Sequence, residues 1–117
     1  MVTAKFDFCR ESDYISMDVK GHAGFAELGK DPVCAGASVL AMTVAQCVEN
    51  MHACGQLAKK PVVKIRNGRV LVTAKPKPEH FHEALHTFYV GETGMTLLAK
   101  AYPDHAEVTP FVLPDQG

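Results

Sequence analysis

Val62-Val63-Lys64-Ile65-Arg66-Asn67-Gly68-Arg69-Val70-Leu71-Val72-Thr73-Ala74 carries the plainest structural message in the chain. Two runs of alternating apolar and polar residues flank Asn67-Gly68, a dipeptide suited to a two-residue type I′ hairpin turn. The register this turn imposes puts Val63, Ile65, Val70 and Val72 on one face and Lys64, Arg66 and Arg69 on the other. One face is therefore core and the other wet.

Working outward, the N-terminal side repeats the pattern. Ala4, Phe6 and Phe8 alternate with Lys5 and Asp7, and Ile15, Met17 and Val19 with Ser16, Asp18 and Lys20. Period-two alternation predicts two half-buried strands with Arg10 to Asp13 as their turn. Gly21 ends the second strand and a glycine-bearing loop runs to Lys30. A helix follows from about Pro32 to His52, with Gly55 as its stop. Beyond the quoted hairpin, Lys75 to Pro78 is a linker into a second helix with Phe81, Leu85 and Phe88 on one stripe. Gly91 and Gly94 are expected to kink or fray it before Lys100. His105 to Thr109 makes a short last strand, and Pro110 and Pro114 close the chain. The order ββαββαβ predicts an α+β fold, a single two-layer domain over residues 1–117 with two helices on a mostly antiparallel sheet.

Composition narrows the function classes. A chain of 117 residues holds one modest core, and 47% apolar against 21% charged residues makes it globular rather than disordered. The net charge of −1, with acids and bases interspersed, argues against a direct nucleic-acid binder. Met1 to Arg10 has no continuous apolar core of the signal-peptide kind, so a cytoplasmic protein is expected. Val33 to Val48 is the longest apolar stretch, but Ser38, Thr43 and Gln46 interrupt it. It falls short of the roughly 20 residues a bilayer needs, so a buried core helix and no membrane partner are expected. Cys9, Cys34, Cys47 and Cys54 lack CxxC spacing and are expected as free thiols.

One of those thiols stands apart. Asp31 is a good N-cap and Pro32 fits the first helical position, which places Cys34 in the first helical turn. Free backbone N–H groups and the positive end of the helix dipole favour a thiolate there, and so a nucleophile. His22, on a glycine-flanked loop, is the candidate base. Twelve residues separate the two, enough for roughly 40 Å of extended chain, so proximity rests on strand and helix being consecutive elements. Cys9, Cys47 and Cys54 lack such a setting and are expected to be structural.

Gly21-His22, then Gly29, Asp31, Cys34, Ala35 and Ser38 at these intervals resemble the signature of the ribosomal-processing cysteine proteases. Those are small bacterial enzymes that remove an N-terminal extension from a large-subunit ribosomal protein. The order and length of the elements are similar too, although Pro32 stands where a β-branched or other apolar residue is expected. The resemblance implies that His22 is the catalytic histidine, that the loop carrying Gly24, Phe25, Leu28 and Gly29 binds substrate, and that the protein is a homodimer. It also implies a precursor ribosomal protein as partner, cut beside a phenylalanine-rich stretch. Backbone N–H groups of Cys34 and Ala35 are candidate oxyanion donors. Asp31 either orients His22 or caps the helix, and capping is favoured. Ser38, one turn beyond Cys34, lines the site, bonds a neighbour or bonds its own helix. No cofactor and no metal are expected.

Two other readings compete. His82-Glu83-Ala84-Leu85-His86 is a literal HExxH, the zinc-peptidase spacing. Both histidines lie roughly 100° or more from the apolar stripe, and Tyr89 and Glu92 occupy the places of the glycine and third histidine in the extended motif. The non-enzyme alternative is an assembly module that holds a ribosomal protein's tail without cutting it.

Overall fold

The computed structural model describes residues 1–21 and 30–112. Five strands and two long helices follow one another in the expected order. They are β1 (Val2–Cys9), β2 (Tyr14–Lys20), α1 (Pro32–Ala53), β3 (Val62–Arg66), β4 (Arg69–Ala74), α2 (Phe81–Ala101) and β5 (Ala106–Thr109), with a single 3₁₀ turn, Pro78–His80, leading into α2. The strands form one sheet in the order β3-β4-β2-β1-β5. Three of its pairings are antiparallel, and β5 lies parallel to β1, so the sheet is mixed.

Alternation decides which face meets the helices. Phe6, Ile15, Met17 and Val72 are inaccessible to solvent and meet Val33 and Val48 of α1 and Phe88 and Met95 of α2 in one core. Phe111, next to the end of the described residues, packs on this core, its ring 5.5 Å from that of Phe6 and 5.2 Å from that of Tyr89. Among the described residues only α1 is long and apolar enough to cross a membrane. Its buried stripe, Val33, Ala37, Ala41, Val44, Val48 and Met51, packs into the core, which accounts for the apolar composition. Gly55, with φ +73°, donates its N–H to His52 O and ends α1 as expected.

Three local expectations are corrected. The β3–β4 turn is not type I′, because Asn67 keeps a negative φ and only Gly68, at +78°, enters the left-handed region. That sign pattern belongs to a type II turn, which needs glycine only at its second central position. Ile65 pairs with Val70 on the helix-facing side but is 50% exposed, because the helices leave that corner of the sheet uncovered. Finally, α2 runs unbroken through Gly91 and Gly94. These glycines let the helices approach: an added Cβ would lie 2.6 Å from Val44 Cγ2 at Gly91 and 2.5 Å from Leu40 Cδ2 at Gly94.

Gly91→Val is therefore expected to lower stability by about 2 kcal/mol through overpacking against a stiff β-branched neighbour. Combining it with Val44→Ala should recover part of the loss. Urea denaturation of both single variants and the double variant measures this coupling.

Candidate active site

Asp31 is 5% exposed, the one charged residue buried in the described core. Its backbone is extended, and its Oδ1 accepts the N–H groups of Val33 at 2.9 Å and Cys34 at 3.1 Å. Its carbonyl accepts Ala35 N–H at 3.0 Å, the first full turn of α1. Capping is thus a geometric fact. It also corrects the expected oxyanion donors: the N–H groups of Cys34 and Ala35 already have acceptors. A carboxylate, moreover, supplies negative charge at the positive end of the helix dipole, where a thiolate was expected to be the main beneficiary.

Cys34 is half-buried and faces a groove of about 270 Å³. One wall is α1, where Cys34, Ala37, Ser38, Ala41 and Met42 follow one another along the helix. The floor is the uncovered corner of the sheet, with Val2, Val19, Val70 and Ile65 side by side. The far end is the β3–β4 turn together with Lys20 and Gly21. Ser38, one turn from Cys34, makes no hydrogen bond among the described residues, so its hydroxyl is not spent on its own helix. Ala35 is exposed and does not line the groove, because it leaves the helix on another side.

Gly21 has φ +100°, and its N–H bonds Gly68 O at 2.9 Å. A Cβ here would collide with the Met1 carbonyl oxygen. Glycine is therefore required immediately before His22, and the hairpin turn anchors the point where the chain leaves β2. His22 itself, with Gly24, Phe25, Leu28 and Gly29, lies outside the described residues.

The groove adds residues that motif reading missed. Ile65, Arg66, Asn67, Gly68 and Arg69 belong to the hairpin, far from Cys34 in sequence. The sequence carries no local signal for them: Ile65 belongs to the helix-facing set, and its 50% exposure follows only from where the helices lie on the sheet.

His82, Glu83 and His86 sit on the solvent side of α2, with the Glu83 carboxylate 3.3 Å from His80 Nδ1. Among the described residues no group of three or more His, Cys, Asp or Glu is arranged to hold a metal ion. Cys9 and Cys54 are exposed, which corrects their expected structural role, while Cys47 is half-buried. Hydrogen bonds from the Ser12 side chain and backbone hold the Cys9 thiol below its ordinary value.

A half-buried thiol at a capped helix start, on the wall of a groove, has the placement that cysteine-hydrolase chemistry needs. The model of the cysteine protease Prp family matches residues 1–107, and the chain belongs to that family. Its fold resembles the essential ribosomal processing protease Prp from S. aureus with a covalently linked product peptide, at 19% identity and TM-score 0.71. That match covers 96% of this chain and 100% of the other. The same S. aureus protease with a substrate peptide gives 18% identity and TM-score 0.65, again over 96% and 100%. SMU.848 from Streptococcus mutans gives 22% and 0.64, over 96% of this chain and 94% of that one. No curated protein sequence gives a significant match.

Asp31→Ala is expected to cost about 1 kcal/mol by leaving two N–H groups unpaired. Asp31→Asn keeps an oxygen acceptor and should retain both stability and turnover. Denaturation midpoints and peptide-cleavage rates measured on the same samples check both expectations.

Proposed function

We propose that this protein removes the N-terminal extension of a large-subunit ribosomal protein precursor in the cytoplasm, with Cys34 as nucleophile and His22 as base. The observation that carries this reading is Cys34 on the wall of an apolar groove at the start of a capped helix. The S. aureus protease with substrate and product peptides supports the choice of substrate. The groove's valine and isoleucine floor suits a large apolar side chain beside the scissile bond.

In this mechanism His22 takes the Cys34 proton and the thiolate attacks the scissile carbonyl. Collapse of the tetrahedral intermediate gives an acyl-enzyme as His22 protonates the leaving amine. Water then releases the acid and regenerates the thiol. Because Asp31 occupies the first-turn N–H groups, the Ser38 hydroxyl is the donor on the α1 wall available to the oxyanion. Two assembled copies complete the reading. The helical layer exposes Val39, Met42, Val90 and Leu97, apolar side chains suited to a homodimer interface.

Wild-type protein should shorten a phenylalanine-rich precursor peptide, and Cys34→Ala should leave its mass unchanged while remaining folded. Binding without shortening by the wild type would favour the assembly-module alternative. Chelators should not alter turnover. Iodoacetamide should modify Cys9 as well as Cys34, since Cys9 is exposed and hydrogen bonds from Ser12 lower its thiol pKa, but only modification of Cys34 should track loss of cleavage. Light scattering should report a dimer that Val39→Asp with Leu97→Asp converts to monomer.

A further inference from the structure

The net charge of −1 conceals a strong segregation. Seven of the 12 Lys and Arg residues fall between Lys59 and Lys77, and no Asp or Glu occurs from Asn50 to Pro78. This segment is the β3–β4 hairpin with its flanks, at one edge of the sheet. Its polar alternates project from the face opposite the helices, which no described element covers. In register there, Arg66 pairs with Arg69 and Arg69 with Lys20, a row of cations across three adjacent strands. Lys64 lies one pleat along from Arg66, and Lys59 and Lys60 are exposed just ahead of β3.

Few carboxylates offset this charge. Asp18 accepts two hydrogen bonds from Arg69, at 3.0 and 2.9 Å, and neutralises that one residue. Asp7 stands 3.7 Å from Lys5 on β1, and Glu107 of β5 is in register with Thr3, across β1 from Lys20. Glu11 and Asp13 lie in the β1–β2 turn, beside the end of the face where Lys75 sits 5.7 Å from the Tyr14 ring centre. Lys20, Lys59, Lys60, Lys64 and Arg66 have no acidic partner among the described residues.

We propose that this outer face of the hairpin binds the phosphate backbone of a nucleic acid, as a docking surface that adjoins the peptide groove at Lys20, Arg66 and Arg69 and extends away from it through Lys64. Strands about 4.8 Å apart fix Lys20, Lys64, Arg66 and Arg69 as a rigid array, with Lys59 and Lys60 in the bend just before β3, which favours a densely and regularly charged polyanion. The phosphate backbone of RNA or DNA supplies that charge without any need for base contacts. A membrane is the poorer fit, because stable attachment adds inserted apolar groups to basic charge. Here Ser16 and Thr73 share the face with the cations, and its large aliphatic residues are the half-buried Leu71, in register with Lys64, and Val62 at the corner, too few to insert into a bilayer.

The test uses the full chain and fluorescence anisotropy with a labelled RNA hairpin of about 20 nucleotides and a DNA hairpin of the same sequence. Four phosphate contacts predict roughly 10²-fold weaker binding at 200 mM than at 50 mM salt. Lys59→Glu, Lys60→Glu and Lys64→Glu combined should weaken binding at least tenfold at 50 mM while peptide cleavage stays within twofold. If the triple variant unfolds, the three Lys→Gln changes replace it, with at least a threefold loss expected. Equal binding of RNA and DNA supports recognition through phosphates alone, and preference for either supports it with groove shape as a contributor. Absence of binding to both hairpins at 50 mM, salt-independent binding, or unchanged binding by the folded variant overturns the proposal. So does tighter binding to vesicles containing phosphatidylglycerol, or to polyglutamate, than to either hairpin. Failure of peptide cleavage would leave these readings intact, because the anisotropy does not depend on Cys34.

Discussion

The hydrogen bonds from the N–H groups of Val33 and Cys34 to the buried Asp31 carboxylate are the constraint on which the active site depends. They fix where α1 begins, and so the rotation at which every later residue of the helix leaves its axis. Val33 turns into the core, Cys34 faces the groove, and Ser38 follows Cys34 one turn on. Pro32, with its preset φ and no N–H to satisfy, reinforces the same start. The carboxylate also takes the donors that a helix terminus would otherwise offer to an anion. In the proposed mechanism, thiolate stabilisation and oxyanion binding then fall to other groups along the groove wall, such as the Ser38 hydroxyl.

The hairpin holds the other side. The Gly68 carbonyl grips the Gly21 N–H, and the Met1 carbonyl leaves no room for a side chain at residue 21. Three separate stretches of sequence thus converge where the chain departs toward His22. The same hairpin ends the groove with its turn and floors it with Ile65 and Val70. The candidate site is in this way assembled from local geometry at the helix and long-range pairing at the sheet.

Much of this was legible beforehand because alternation and turn chemistry are local. The bounds of β3 and β4, the helix start at Pro32, its stop at Gly55 and the Asp31 cap all follow from residues within a few positions of one another. Errors arose where distant parts decide. Gly91 and Gly94 look like helix weaknesses until Val44 and Leu40 are placed against them. Asn67 suits a type I′ turn, but it equally tolerates the negative φ it adopts here, so the dipeptide alone does not choose between turn types. Ile65 belongs to the apolar face, and only the reach of the helices shows that its position stays open. The Cys34 and Ala35 donors seemed available because a cap, read as a feature of the chain, was not followed to the atoms it satisfies.

The parallel pairing of β1 with β5 has a bearing on how the molecule comes into being. Val2 to Lys5 are hydrogen-bonded beside Ala106 to Thr109, among the earliest and latest described residues of the chain. Synthesis delivers β1 first and its outer neighbour last, so for most of translation β1 is an edge strand with a row of unpaired N–H and C=O groups. Loop-closure entropy across about a hundred residues opposes that final contact, making it a late and slow event in folding. The sheet that floors the groove is therefore complete only when the whole domain has left the ribosome.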